Sequence, residues 1–141
     1  MKIIVLKESN SESRVAVSPE TVKKLSEMGH NVLIQKDAGV KSNFLDRNFE
    51  EAGAQIFNDE APIKDADVVL KINKPSKSQI ILFKEGAILI AALDPHNDPD
   101  LIEDLRDKNI TSFAMELMPR ITRAQSMDIL SSQSNLAGYK A

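Results

Sequence analysis

The chain has 141 residues, of which 42% are hydrophobic and 28% charged, and it contains no cysteine. This length favours one domain with a sizeable core, and the lack of cysteine excludes disulfides, thiolate nucleophiles and cysteine-ligated metals, as is typical of a cytoplasmic protein. The net charge of -3 and the scattered basic residues disfavour nucleic acid as a partner, and the longest apolar run, seven residues from Ala87 to Leu93, is too short for a membrane span.

The first forty residues alternate between strand and helix patterns. The N-terminal segment has only four consecutive apolar residues, which are too few for a secretory signal. Residues 2–6 are therefore predicted as a strand. Ser18 followed by Pro19 predicts a helix start, and Gly29 predicts its end. The side chains expected to face the core from this helix are Val22, Leu25 and Met28.

The rest of the chain continues the same alternation. Further strands are predicted at residues 31–35, 55–57, 68–72, 87–93 and 110–114. The runs at 68–72 and 87–93 lack polar alternation, so we expect them to be covered on both faces. A short helix is predicted around Phe44, Leu45 and Phe49. A longer one is predicted from Asp98 and Pro99, with a buried face formed by Leu101, Ile102 and Leu105.

These elements predict an α/β fold: one doubly wound, mainly parallel sheet with helices on both faces, flavodoxin-like or Rossmann-like, over residues 1–141 as a single domain. The five glycines lie at positions 29, 39, 53, 86 and 138. Their spacing excludes a G-x-G-x-x-G dinucleotide loop and a Walker phosphate loop, because both need closely spaced glycines for the backbone to approach a phosphate.

The two histidines do not predict a catalytic or metal site. His30 follows Gly29 at a helix end, where an imidazole can meet the free carbonyls. His96 lies in the run from Asp94 to Asp98, but Asp98 is already explained as a helix cap. We therefore expect no metal site.

The last segment carries the most informative polar pattern. Thr122 and Gln125 form a capping-box pattern that predicts a helix starting near residue 123. In that helix Gln125, Asp128 and Ser131 recur every three residues and share about 120° of one face, with Arg120 just before it. Gln can both donate and accept, which matches a carboxamide, so the strip predicts a polar contact surface.

A purely structural interpretation of this strip also stays open. Gln125 would then only close the capping box, and Asp128 would pair with Arg120 or Arg123 on a solvated face.

A family resemblance rests on three stretches. The last one, PRITRAQSMDILSSQSNLAGYKA, resembles the loop and helix of the alpha subunit of proton-translocating nicotinamide nucleotide transhydrogenase, which alanine dehydrogenases share in related form. ESRVAVSPETVKKLSEMGHNVLIQKDAG resembles the opening of that family, and DADVVLKINKP resembles its central strand. The resemblance covers essentially all 141 residues.

The resemblance implies that this is the N-terminal domain of the alpha subunit, with an NAD(H)-binding Rossmann domain following residue 141. Arg120, Gln125, Asp128 and Ser131 would contact and orient the nicotinamide without acting as acid or base. In the whole enzyme, hydride would pass directly from NADH to NADP+ on a partner component, coupled to proton translocation by a membrane component. The implied protein is a homodimer, peripheral on the cytoplasmic side of the inner membrane. This domain alone would be soluble, inactive and a poor NADH binder.

Residues at three positions distinguish the two enzymes that share this resemblance, transhydrogenase and alanine dehydrogenase. In the alanine dehydrogenase pattern Asp94 takes the place of the catalytic histidine and Asn73 that of the substrate lysine, whereas Arg14 is retained. A carboxylate at position 94 would repel an anionic keto acid, so transhydrogenase is the favoured interpretation. An alanine dehydrogenase-like enzyme and a non-catalytic α/β ligand-binding module remain as alternatives.

Overall fold

Six strands form a single sheet in a computed structural model that describes residues 1–9 and 11–141. The strands are Lys2–Val5 (β1), Asn31–Gln35 (β2), Gln55–Phe57 (β3), Val68–Asn73 (β4), Ile88–Ala92 (β5) and Thr111–Ala114 (β6). All neighbours pair in parallel, in the order β3-β2-β1-β4-β5-β6, which is the strand order of a Rossmann sheet. The predicted fold class is confirmed.

Among the described residues, six α-helices connect or follow the strands. They are Pro19–Glu27 (α1), Asp46–Glu51 (α2), Ala61–Lys64 (α3), Lys77–Leu82 (α4), Pro99–Asp107 (α5) and Ile129–Lys140 (α6). Ser18 caps α1 and Asp98 caps α5, as predicted, because each side-chain oxygen accepts a main-chain N–H of the first turn. Helix α4 was not predicted, although Ser76 and Gln79 form a complete capping box at its start.

The sheet carries one apolar cluster on each face. On β1, Ile4 packs into one cluster and Val5 into the other, because successive side chains of a strand point to opposite faces. Val22 of α1 and Phe49 of α2 cover the Val5 face. Helices α3, α4 and α5 cover the opposite face through the side chains of Ile63, Ile80, Leu101 and Leu105.

Two glycines are required by the local geometry. Gly29 has a φ of +86° directly after the capping residue Met28 of α1, so it ends the helix as predicted. Gly39 has little room: a Cβ there would lie 2.6 Å from the Phe49 ring and 2.8 Å from the Phe44 carbonyl oxygen. The turn after β2 therefore needs glycine for close packing on Phe49.

Two apolar side chains predicted for the core are exposed. Met28 is 70% exposed because it lies beyond the last turn of α1. Ile102 is 37% exposed because Leu101 and Leu105 form the buried face of α5.

Strand β5 is buried on only one face, which corrects the prediction of a strand covered on both. Leu89 and Ala91 are fully buried, whereas Ile88 and Ile90 on the other face are half-buried. Phe113 of β6 pairs with Ile90 in the sheet and is 49% exposed. The apolar run thus forms a strand whose second face is only partly covered.

In the part of the chain that the structure describes, no helix is long and apolar enough to span a bilayer.

Candidate functional site

The carboxyl ends of β1 and β4 meet where the strand order reverses. In open α/β sheets ligands bind outside such a switch point, because the loops after the two strands diverge there. Polar side chains lie at this edge in and after three of the strands. Glu8, Glu12 and Arg14 follow β1, Asn73 ends β4 and Asp94 follows β5.

A buried ion pair lies at the switch point. Lys71 Nζ is 3.4 Å from Glu8 Oε2, and the two side chains are 4% and 3% exposed. Glu8 also accepts hydrogen bonds from the main-chain N–H of Ile72 at 2.7 Å and of Asn73 at 3.4 Å. The pair therefore joins the loop after β1 to the end of β4.

A second acidic side chain links this edge to the loop before α1. Glu12 accepts from Arg14 Nε at 2.9 Å, from Arg14 Nη2 at 2.8 Å and from Asn73 Nδ2 at 3.1 Å. The hydrogen bonds from Arg14 lower the pKa of the Glu12 carboxyl from 4.5 to about 2, although burial opposes that shift. Glu12 is therefore ionised at neutral pH.

The predicted helix start near residue 123 is wrong. Residues Thr122–Met127 form a 3-10 helix whose N-cap, Ile121, makes no side-chain capping bond, so Thr122 and Gln125 do not form a capping box. The α-helix begins at Ile129, because Asp128 has extended backbone and its Oδ1 accepts the main-chain N–H of Leu130 at 3.0 Å and of Ser131 at 3.1 Å. Asp is a stronger N-cap than Thr, and the later cap prevails.

The four residues singled out from the sequence nevertheless line one cavity. Arg120, Gln125, Asp128 and Ser131 surround an open space of about 240 Å³, together with Ile121 and Thr122. Asp128 is 8% exposed, whereas Arg120, Gln125 and Ser131 are exposed. They converge across the junction between the 3-10 helix and α6 rather than along one helix face. We refer to this space as the polar cavity.

Asp128 is held as a carboxylate. The Ser131 hydroxyl and main-chain N–H lower the pKa of the Asp128 carboxyl below its ordinary value of 3.8, and the N–H of Leu130 and the charge of Arg120 add to that effect. Burial opposes it. The polar cavity thus has a fixed negative charge, an arginine beside it and a glutamine amide that can donate and accept.

A larger cavity lies on another side of α6. It has a volume of about 640 Å³ and is lined mainly by apolar side chains from α6, the loop before α1 and the ends of β4 and β5. Its polar rim includes Arg14, Asn73 and Gln133. Glu12 and Gln133 were not predicted as site residues from the sequence. The available signal was the i, i+2 spacing of Glu12 and Arg14, which places both side chains on one side of an extended segment and so indicates that they can pair.

The loop after β5 is held by both local and long-range hydrogen bonds, and the main-chain N–H groups of Leu93 and Asp94 donate to the Glu116 carboxylate. Asp94 accepts from Asn97 Nδ2 at 2.8 Å, and Asp98 accepts from Leu101 N at 3.2 Å and from Lys74 Nζ. Over residues 1–9 and 11–141 no group of three or more histidines and carboxylates is placed to hold a metal ion.

A family model decides the classification. The model described as alanine dehydrogenase/PNT, N-terminal domain, matches residues 4–137. The chain belongs to this family. The membership confirms the resemblance inferred from the sequence.

Relatives within the family divide between two enzymes. An NAD(P) transhydrogenase subunit alpha chain of Rhodospirillum rubrum is 47% identical over the whole of this chain and 38% of its own length. Alanine dehydrogenase of Staphylococcus haemolyticus is 37% identical over 98% of the chain and 37% of its own length. A crystal structure of transhydrogenase from Sinorhizobium meliloti superposes with a TM-score of 0.95 at 46% identity, over 100% of this chain and 42% of that one. The chain thus spans well under half of these family members.

Proposed function

We propose that this chain is the N-terminal domain of the alpha subunit of a proton-translocating NAD(P) transhydrogenase, where it positions the nicotinamide ring of NADH for hydride transfer. The observation that carries the proposal is the convergence of Arg120, Gln125, Asp128 and Ser131 on one open cavity. The transhydrogenase relatives, which match the whole chain, support the same activity.

The lining of the polar cavity fits a nicotinamide. Gln125 is exposed beside the cavity, and its amide can pair with a carboxamide through one donor and one acceptor. The ionised Asp128 and the Arg120 guanidinium flank it and orient the ring by charge and hydrogen bonding. Bound NADH supplies the hydride. Direct transfer between two nicotinamides needs no proton movement, so none of these residues acts as acid or base.

The edge of the sheet disfavours alanine dehydrogenase chemistry. That reaction moves a proton as well as a hydride and needs groups that bind an anionic substrate. Asp94, at the position of the catalytic histidine in that pattern, is a carboxylate bonded to Asn97. Asn73, at the position of the substrate lysine, is uncharged, and its amide donates to Glu12. Asp94 therefore repels an anionic keto acid, and Asn73 supplies no cation to bind it.

The remaining contacts to the coenzymes must lie outside this chain. No glycine-rich loop exists in the sequence to approach a pyrophosphate, so we propose that a Rossmann domain binds the rest of NAD(H). We further propose an NADP(H)-binding partner component, a membrane component that translocates protons, a homodimeric alpha subunit and a peripheral position on the cytoplasmic side of the inner membrane. The greater length of the relatives supports this division.

The test is Gln125→Asn in the assembled enzyme. Shortening the side chain displaces the amide by about one bond length, so hydride transfer is expected to slow by about tenfold or more, while NADH affinity changes little because the phosphate contacts remain. Gln55→Asn, on the exposed side of strand β3, is the matched control and is expected to behave as wild type. Unchanged turnover with weakened NADH binding contradicts the proposal.

A separate measurement tests whether NADH binding needs contacts outside this chain. When NADH is titrated into the isolated chain and its fluorescence is followed, we expect no saturable binding in the micromolar range, because one ring contact cannot replace the missing phosphate and adenosine contacts. Micromolar binding indicates instead a ligand-binding module that works alone.

A further inference from the structure

Helix α6 is weakly attached to the rest of the fold. None of its residues, Ile129–Lys140, is buried, so it gains little from apolar packing. Its N-terminus is stabilised locally by the Asp128 cap. Among hydrogen bonds between described residues, one joins the helix to a distant part of the chain: Arg14 Nη1 donates to Gln133 Oε1 at 3.2 Å.

The arginine in that contact is fixed by its neighbours. Arg14 Nε and Nη2 bind the two carboxylate oxygens of Glu12 in a fork, and the Arg14 main-chain N–H donates to the same carboxylate at 2.9 Å. A bidentate pair of this kind restrains the guanidinium plane. The remaining nitrogen, Nη1, is therefore directed at Gln133 by the Glu12 contact.

Glu12 is in turn attached to the sheet. Its Oε2 accepts from Asn73 Nδ2, and the main chain of Asn73 donates to the buried Glu8, which pairs with Lys71. A continuous series of polar contacts therefore runs from the end of β4 to α6. It meets α6 at position 133, about half a turn beyond Ser131 of the polar cavity.

We infer that Arg14, oriented by Glu12, is a positioning residue that fixes α6 through Gln133 and so sets the place of Asp128 and Ser131 at the polar cavity. The inference rests on the proposed function for its effect on hydride transfer, but not for its effect on the helix. Arg14 lies 119 residues before Gln133 in the sequence, and the larger cavity separates much of α6 from the sheet. Without this contact, no hydrogen bond between described residues ties the helix to a distant part of the chain.

The test compares two substitutions of Gln133 in the assembled enzyme. Gln133→Leu keeps the approximate volume but removes the acceptor, whereas Gln133→Glu keeps an oxygen that Arg14 can reach. For the leucine variant we expect amide hydrogen exchange over residues 129–140 to accelerate by about fivefold, with β1 and β4 unchanged. Hydride transfer is expected to slow by about fivefold to tenfold, with NADH affinity within about twofold of wild type. The glutamate variant is expected to restore both.

Controls separate this inference from the proposed function. Gln55→Leu, a similar change on the far edge strand, is expected to leave exchange in α6 and transfer unchanged. Wild-type exchange in Gln133→Leu overturns the inference. So does faster exchange with normal transfer, provided that Gln125→Asn still slows transfer. If Gln125→Asn and Gln133→Leu both transfer hydride normally, the proposed function itself fails and the positioning role falls with it.

Discussion

The buried pair of Glu8 and Lys71 allows a quantitative prediction about the edge of the sheet. Replacing Lys71 with Met keeps most of the side-chain packing but leaves the buried Glu8 carboxyl, whose side chain is 3% exposed, without its cationic partner. Removing one partner of a buried pair costs about 3–5 kcal/mol. Glu8 keeps two main-chain N–H donors, at 2.7 and 3.4 Å, so we expect Lys71→Met to lower the free energy of unfolding by about 3 kcal/mol, the lower end of that range.

The second single variant and the double variant complete the cycle. Glu8→Gln leaves the Lys71 ammonium without an anion and is expected to cost about 3 kcal/mol as well. In the double variant a neutral amide still accepts from the Ile72 N–H and no charge is buried, so its stability should lie within about 1 kcal/mol of wild type. The coupling between the two sites is then about 5–6 kcal/mol.

Urea unfolding at pH 7 checks these values. Far-UV circular dichroism is the suitable probe, because the chain has no tryptophan and its one tyrosine, Tyr139, is 87% exposed. A chain of this length is expected to unfold in one cooperative transition, so the slope with urea should not change between variants. If the double variant loses as much stability as the two single variants together, the pair does not interact and the reasoning is refuted.

Two further predictions concern the carboxylates nearer the site. Because the pKa of Glu12 is about 2 in the folded chain against an ordinary value of 4.5, its contribution to stability is complete above about pH 4.5 and is lost as the pH falls towards 2. At pH 7 we expect Glu12→Gln to lower the free energy of unfolding by on the order of 1 kcal/mol, because Arg14 is half exposed and its charge is screened. This difference from wild type should disappear as the pH falls from 4.5 to 2. A difference that does not change with pH would contradict the prediction. For Asp128, alanine should accelerate amide exchange at Leu130 and Ser131 several-fold, whereas asparagine, an equally good cap, should not. Equal exchange in both variants would show that capping is not the role of this carboxylate.

Much of the sheet could be predicted because its strands are marked locally. Two kinds of local signal mark them: the apolar runs of β4, interrupted by Lys71, and of β5, and the capping residues Ser18 and Asp98. Helix α4 was missed although Ser76 and Gln79 carry the same kind of signal, because the segment is short and has no clear apolar period.

The sequence singled out the four residues that line the polar cavity, but it did not indicate the backbone that brings them together. Thr122 and Asp128 are both acceptable caps six residues apart, and the sequence pattern alone does not decide between them. The structure decides through the two main-chain N–H groups that Asp128 accepts, which moves the helix start past Gln125. The contact of Arg14 with Gln133 spans 119 residues and depends on tertiary structure, so no local pattern could indicate it.

The use of Asp128 as both cap and cavity wall has a consequence for evolution and for design. Its Oδ1 already serves two main-chain donors and its Oδ2 the Ser131 hydroxyl, so the conformation of this side chain is set during folding and not when a ligand arrives. The orientation of the carboxylate is therefore already fixed in the folded chain. Most substitutions at this position remove both the helix cap and the negative charge of the polar cavity, whereas asparagine keeps the cap and removes only the charge.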